Sequence, residues 1–315
     1  MNQTHAARHP GAEAIADKGW LLANKWLLAR RSSQLAILLL FLLGPWFGIW
    51  LIKGNLSASL ILETVPLTDP YILLQSLFAG HSLESTAIIG GLIVIAFYML
   101  LGGRTYCSWV CPVNIITDSA QWLRDHFKIT GASSLSRNTR YWILGATLIL
   151  ALVTGSISWE LVNPVSMLHR GLIFGMGLAW FVILAVFLLD LLVSRRAWCS
   201  HLCPVGAFYG LLGTHSLIRI RADARDQCDD CMDCFKVCPE QQVIRPALKG
   251  HMKGSAEIIG PVITSQNCTN CGRCIDVCAK DVFHFGLRTN NIVNNTTNSK
   301  NISKQLNHSS GVEVL

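Results

Sequence analysis

The sequence predicts an α-helical membrane protein. Four transmembrane helices form two parallel helix-hairpin repeats, and a small cytoplasmic α+β domain with two iron–sulfur clusters follows them. Three observations predict this. Four stretches carry no charged residue: Leu35 to Ile52, Thr86 to Gly103, Tyr141 to Trp159 and Gly171 to Leu189. A segment of the first half recurs in the second. All twelve cysteines of the 315 residues fall into four tight groups.

Each uncharged stretch approaches the ~20 apolar residues that cross ~30 Å of hydrocarbon. Only 14% of the residues are charged and the mean hydropathy is +0.40, whereas soluble domains carry about 25% charged residues. Long helices of a soluble core also keep a polar stripe, which these stretches lack. The first apolar run starts after 34 residues and no small-x-small site follows it, so it reads as an anchor rather than a cleaved signal. Ahead of it, residues 1–34 form a cytoplasmic segment. There Trp20, Leu21, Leu22, Trp26, Leu27 and Leu28 alternate with Lys18, Lys25, Arg30 and Arg31, the composition of an amphipathic helix on an anionic membrane surface.

The formal charge of +7 orients the chain rather than pointing to nucleic acid. The N-terminal segment holds Arg8, Lys18, Lys25, Arg30 and Arg31, and the middle loop Arg104, Arg124, Lys128, Arg137 and Arg140. Fourteen further Lys and Arg follow the fourth span, and only Lys53 and Arg170 lie on the opposite side. This positive-inside pattern puts both termini and every cysteine in the cytoplasm of a bacterial inner membrane. That compartment is reducing, which favours metal ligation over disulfides.

The membrane domain, 35–205, repeats itself. Arg104-Thr-Tyr-Cys-Ser-Trp-Val-Cys-Pro-Val113 aligns with Arg196-Ala-Trp-Cys-Ser-His-Leu-Cys-Pro-Val205. Upstream, Asp69-Pro-Tyr-Ile-Leu-Leu-Gln75 aligns with Asn163-Pro-Val-Ser-Met-Leu-His169. Two copies running in the same direction imply a pseudo-two-fold axis along the membrane normal. The symmetry would bring Cys107, Cys111, Cys199 and Cys203 to equivalent places at the inner surface. Three readings fit them: ligands of a further cluster or soft metal, redox dithiols, or buried small residues. Asp69 and Asn163 read as N-caps, with Pro70 and Pro164 at the first helical position, starting short helices on the far side. Those outer loops could instead line a quinone pocket, with Glu63, Asp69, His81, Glu84, Glu160 and His169 as candidate proton acceptors. Asp190, at the end of the fourth span, is expected at the inner interface.

Residues 222–288 contain Cys228-x2-Cys231-x2-Cys234-x3-Cys238-Pro239 and Cys268-x2-Cys271-x2-Cys274-x3-Cys278. In two-cluster ferredoxins such a run gives three ligands to one 4Fe-4S cluster and its last cysteine to the other. Cys228, Cys231, Cys234 and Cys278 therefore form one ligand set, and Cys268, Cys271, Cys274 and Cys238 the second. Gly272 permits the tight wrap, and Ala279 stands where a proline usually follows the last cysteine. The spacer Gln241 to Gln266, with Pro246, Gly250, Gly254, Gly260 and Pro261, reads as a surface loop. Residues 289–315 read as a disordered polar tail.

The chain resembles the NapH family, membrane ferredoxin-type components of the periplasmic nitrate reductase system. Gly44-Pro-Trp-Phe-Gly48, Thr64-Val-Pro-Leu-Thr-Asp-Pro70, Cys107-Ser-Trp-Val-Cys-Pro112, Asn163-Pro-Val-Ser166, Cys203-Pro-Val-Gly206 and Cys231-Met-Asp-Cys-Phe235 carry the resemblance, which runs from about Gly19 to Phe285. NosR, CcoG and MauN polyferredoxins are related. The resemblance implies oxidation of quinol from the quinone pool, with electrons passed to a periplasmic ferredoxin of the NapG type or a NapC-type cytochrome. A CcoG-like role in maturation or cofactor reduction is the alternative. One difficulty stands: inner clusters and an outer acceptor are separated by about 30 Å of hydrocarbon.

Overall fold

In this computed structural model the described residues are 9–129, 135–175, 177, 179–250 and 259–288, so the tail from 289 lies outside them. The chain opens with α1 (Ala12–Lys18) and α2 (Trp20–Ala23), then α3 (Lys25–Phe47). At 1.5 Å per residue the 23 residues of α3 extend about 34 Å. Among the described residues it is the one helix long and apolar enough to cross a membrane. It starts well before Leu35 and stops short of Ile52.

An antiparallel sheet follows, β1 (Ile52–Gly54), β2 (Ala58–Ile61) and β3 (Val65–Thr68), in that order. Asn55 closes its first turn, its side-chain oxygen accepting from the Ser57 and Ala58 amides at 2.8 and 2.9 Å. The sequence reading had only a loop here, because strands of three or four residues are too short to show a period of two.

Next come α4 (Pro70–Phe78), α5 (Ser85–Leu101), α6 (Thr105–Trp109), α7 (Val113–His126) and α8 (Thr139–Thr154). A 3-10 turn at Ser158–Leu161 leads to α9 (Pro164–Phe174) and α10 (Ala179–Leu188), which a π turn at Leu189–Val193 prolongs. A second π turn, Trp198–Leu202, precedes α11 (Pro204–Leu212). The fourth expected span is therefore not one helix. At Gly175 the backbone turns to φ +95°, so residues 171–174 end α9 and α10 starts afresh. The uniform apolarity of 171–189 conceals that break. The helices Ser85–Leu101, Thr139–Thr154 and Ala179–Val193 are apolar but shorter than a full span.

The repeat is visible in the order of elements: α3, α4, α5, α6 and α7 correspond to α8, α9, α10, Trp198–Leu202 and α11. The copies interlock reciprocally. α4 packs on α8 as α9 packs on α3, α11 meets α5 as α7 meets α10, and α6 lies beside α3 as Trp198–Leu202 lies beside α8. Gly103 allows the closest approach, since a Cβ there would sit 1.8 Å from the Tyr209 carbonyl oxygen.

The last domain pairs β4 (Ile218–Arg221) with β5 (His284–Leu287), antiparallel, Ile220 opposite Phe285. β4, just ahead of residue 222, thus packs with this domain. Around this ribbon stand α12 (Asp233–Val237), α13 (Ile244–Lys249) and α14 (Arg273–Asp276). The expected loop from 241 thus contains a helix. Pro246 sits in its first turn, where a missing amide costs no hydrogen bond, and Ile244, Ala247 and Leu248 bury themselves in the core with Val282 and Phe283.

The N-terminal segment clasps this domain. The Gly11 amide donates to Asp233 (3.0 Å), Lys18 to the Cys278 carbonyl (2.5 Å), and the Trp26 and Leu27 amides to the Asp276 carboxylate (3.1 and 2.9 Å). Trp20, Leu21 and Leu22 stay exposed.

Candidate iron–sulfur centres

Each ferredoxin run curls around a point because two of its residues adopt left-handed backbone. These are Asp230 (φ 59°) and Met232 (64°) in the first, and Asn270 (46°) and Gly272 (73°) in the second. Gly272 is also required sterically, since a Cβ there would lie 2.7 Å from the Trp26 Cβ. The first wrap and Cys278 line one cavity: Cys228, Cys231, Cys234 and Cys278, walled by Leu248, Val282 and Phe283, about 410 Å³ with its open edge. The second wrap and Cys238 line another: Cys268, Cys271, Cys274 and Cys238, walled by Ile220, Ile244 and Ile263, about 330 Å³. Four thiols around a dry wall match the donor set and setting of an iron–sulfur cluster.

One thiol of the second cavity stands apart electrostatically. Burial pushes the Cys231 thiol up to about 11. Burial also acts on Cys271, but Arg273 and Arg30 outweigh it and hold that thiol below its ordinary value.

The remaining four cysteines share a third cavity, about 580 Å³. Cys107 lies in α6 and Cys199 in the Trp198–Leu202 turn, while Cys111 and Cys203 each precede the proline that opens the next stretch. Asp69 and Asn163 line the same cavity. Both are N-caps, accepting from the Tyr71 and Val165 amides at 3.0 and 3.1 Å. The expectation that these caps lie on the far side, away from the cysteine pairs, is overturned: β3 and the 3-10 turn carry the chain inward before α4 and α9 begin. Asp69 also accepts from the Tyr209 hydroxyl at 3.1 Å.

Of the other candidate proton acceptors, Glu160 stands nearest this cavity, accepting from the Asn163 amide at 3.2 Å. His169 is buried edge-on to Phe41. Glu63 is exposed and paired with Lys53, and His81 and Glu84 are exposed. Asp190 is buried, and its carboxylate accepts from the Trp198 amide at 2.9 Å.

The third cavity is joined to the second by hydrogen bonds through the repeat. Ser108, next to Cys107, donates to the carbonyl of Thr269, next to Cys268, at 2.8 Å. Its counterpart Ser200, next to Cys199, reaches the carbonyl of Pro239, next to Cys238, at 3.5 Å. Trp109 donates to the Asn270 carbonyl at 3.0 Å. Two carboxylates, Glu240 buried and Asp118 half-buried, brace the junction. Glu240 meets Arg104 (2.8 Å), Arg137 (3.2 Å) and Arg140 (3.2 Å), and Asp118 meets Arg196 (2.5 Å), Arg273 (2.7 Å) and Arg31. Arg104 further donates to the Cys199 carbonyl at 3.1 Å. Sequence reasoning missed these partners, although Arg104 and Arg196 head the two aligned segments.

The family described as "4Fe-4S binding domain" matches residues 85–130 and 176–221, one match for each Cys-x3-Cys-Pro motif. The "4Fe-4S dicluster domain" family matches 227–282. The methylamine utilization ferredoxin-type protein MauN of Paracoccus denitrificans is 55% identical over 265 residues, 84% of this chain and 90% of that protein. The ferredoxin-type proteins NapH of Haemophilus influenzae and Escherichia coli are each 47% identical, covering 90% and 89% of this chain and 97% and 96% of theirs. No solved structure matches the chain.

Proposed function

From a chain that belongs to the NapH and MauN family of ferredoxin-type proteins and carries iron–sulfur electron-transfer domains, we propose a membrane-embedded electron-transfer subunit of a quinol dehydrogenase. Two 4Fe-4S clusters, when bound, store and release electrons singly. Cys228, Cys231, Cys234 and Cys278 would hold one, and Cys268, Cys271, Cys274 and Cys238 the other.

The observation that carries the membrane part is a belt of exposed apolar side chains on the long helices. Leu92 and Phe97 on α5, Trp142 and Leu152 on α8, and Trp180 and Phe181 on α10 all face outward. Water would make such a surface costly, and lipid removes the cost. Four crossings by α3, α5, α8 and α10 with its π turn would leave the N-terminal segment and the iron–sulfur domain on one side. The clasp of Gly11, Lys18 and Trp26 on that domain supports this.

Quinol oxidation gives one quinone, two electrons and two protons. Asp69 and Glu160, beside the third cavity, are the proton acceptors this reading selects. Electrons would leave through a NapG-type ferredoxin or a NapC-type cytochrome. The protein in lipid nanodiscs, given a ubiquinol or menaquinol analogue without oxygen, should lose the visible absorbance of its oxidised clusters. Clusters that stay oxidised with and without a partner refute the proposal. The 55% identity to a MauN favours one second reading. In it the same module supplies electrons for cofactor reduction or maturation in methylamine utilization, as the related CcoG-like polyferredoxins suggest. Quinol would then leave the clusters oxidised, while a cytoplasmic reductant such as a reduced flavodoxin would still reduce them.

A further inference from the structure

We infer that Cys107, Cys111, Cys199 and Cys203 together bind a third iron–sulfur cluster, shared between the two copies of the repeat. Each copy alone contributes two thiols, too few for a cluster. Only their interlocking closes a four-thiol set, and all four line one cavity. Three further observations specify the group.

The first is spacing. Among the described residues, no three Cys, His, Asp or Glu side chains are grouped to hold a metal ion. That holds for this quartet and equally for the eight cysteines of the ferredoxin runs. A single tetrahedral ion needs sulfurs ~2.3 Å from one centre, hence tightly clustered. In an iron–sulfur cluster the cysteines ligate different irons and stand further apart. The four thiols of the quartet line one cavity, as the four thiols of each ferredoxin set line theirs.

The second is setting. Val113, Val165, Val205, Trp159 and Trp198 make the cavity wall largely apolar. Arg104 lies against the Cys199 carbonyl at 3.1 Å and supplies positive charge for an anionic cluster. α4 and α9, nine and eleven residues long, begin at this cavity and add the partial positive charge of their N-termini.

The third is connection. Ser108 and Ser200 join the backbone beside Cys107 and Cys199 to the backbone beside Cys268 and Cys238, two cysteines of one ferredoxin set. A bound cluster would thus be linked by two related hydrogen-bonded bridges to the second cavity. It takes one electron and passes one on, with no bond made or broken. This inference adds to the proposed function the centre that would stand between quinol and the inner clusters.

The test is chemical. Full-length protein purified without oxygen should hold about twelve irons, eight in the two ferredoxin-type clusters and the rest in the shared one. Cys107→Ser/Cys111→Ser and Cys199→Ser/Cys203→Ser should each lower the content to about two thirds of that of the unsubstituted protein, because either pair alone breaks the site. The Mössbauer and EPR signals of the other two clusters should persist. Should either variant fail to accumulate, the Mössbauer spectrum of the 57Fe-enriched unsubstituted protein must show iron beyond two clusters. No more than eight irons there, or equal iron in all three proteins, overturns the inference. These counts do not depend on quinol, so a failure of quinol oxidation would leave them standing.

Discussion

The two copies of the repeat agree closely where they meet and part company elsewhere. At the shared cavity each contributes two cysteines and a capped helix start, with an arginine and a serine at matching places in the sequence beside them. Away from it, the first copy interposes a three-stranded sheet where the second has one 3-10 turn, and α5 is a regular helix of 17 residues where its counterpart α10 has 10 and ends in a π turn. Symmetry persists only where one site needs both halves. The copies also divide the bracing: Arg104 turns to Glu240 in the iron–sulfur domain, whereas Arg196 turns to Asp118 in the other copy.

The largest expected effect breaks that bracing. Glu240→Ala would strand three guanidiniums, two of them almost fully buried, and should cost about 3–5 kcal/mol. Asp118→Ala, whose partners are somewhat more accessible, should cost less. Melting temperatures in detergent rank the two, and a reversed order would show that the Asp118 cluster, not the Glu240 cluster, is the stronger brace. Burial pushes both carboxyls up, but the arginines outweigh it and hold both below their ordinary values. With folded pKa values depressed, the stabilisation is fully present above the unfolded value of about 4 and is lost as pH falls through the folded values. Between pH 5 and 9 the bracing should therefore be insensitive to pH.

Next comes the contact that lets the copies interlock. Gly103→Ala drives a methyl into the Tyr209 carbonyl, and overpacking of this kind costs about 1–3 kcal/mol. Gly145→Ala, with nothing within 4 Å of the added carbon, is the control. A neutral Gly103→Ala would mean that the copies are not locked there.

The caps sharpen the comparison further. Asp69→Ala and Asn163→Ala each remove a cap worth about 0.5–2 kcal/mol. Asp69 should cost more, because Tyr209 loses its acceptor as well. Asp69→Asn should recover most of the loss, and proton-coupled reduction by quinol should still suffer. The smallest effect separates the serines: Ser108→Ala should cost about 1 kcal/mol and Ser200→Ala, at 3.5 Å, less. Equal costs would erase the asymmetry of the two bridges.

Much of this was legible in the sequence for a covalent reason. Cysteine spacing within a run is fixed by the chain, so three cysteines of each candidate set can be named before any folding, and the fourth follows from the crossing pattern of two-cluster ferredoxins. The caps were equally legible, since Asp69 and Asn163 satisfy amides only two residues away. Their depth was not. Hydropathy cannot tell a short helix that starts inside the fold from one that starts at its rim, so the caps were expected far from the cysteines they join. Arg104 and Glu240 are separated by 136 positions, and no local pattern announces such a pair. The break at Gly175 hid in an apolar run for the same reason, because its cause is backbone torsion rather than composition.

The clasp of the N-terminal segment has a consequence in time. Trp26 and Leu27 leave the ribosome first, yet their acceptor Asp276 is synthesised about 250 positions later. At ~5–20 residues per second that interval is roughly 10–50 s. Throughout it the Trp26 and Leu27 amides lack this acceptor. The opening of the chain can therefore be fastened to the iron–sulfur domain only after most of that domain has been synthesised.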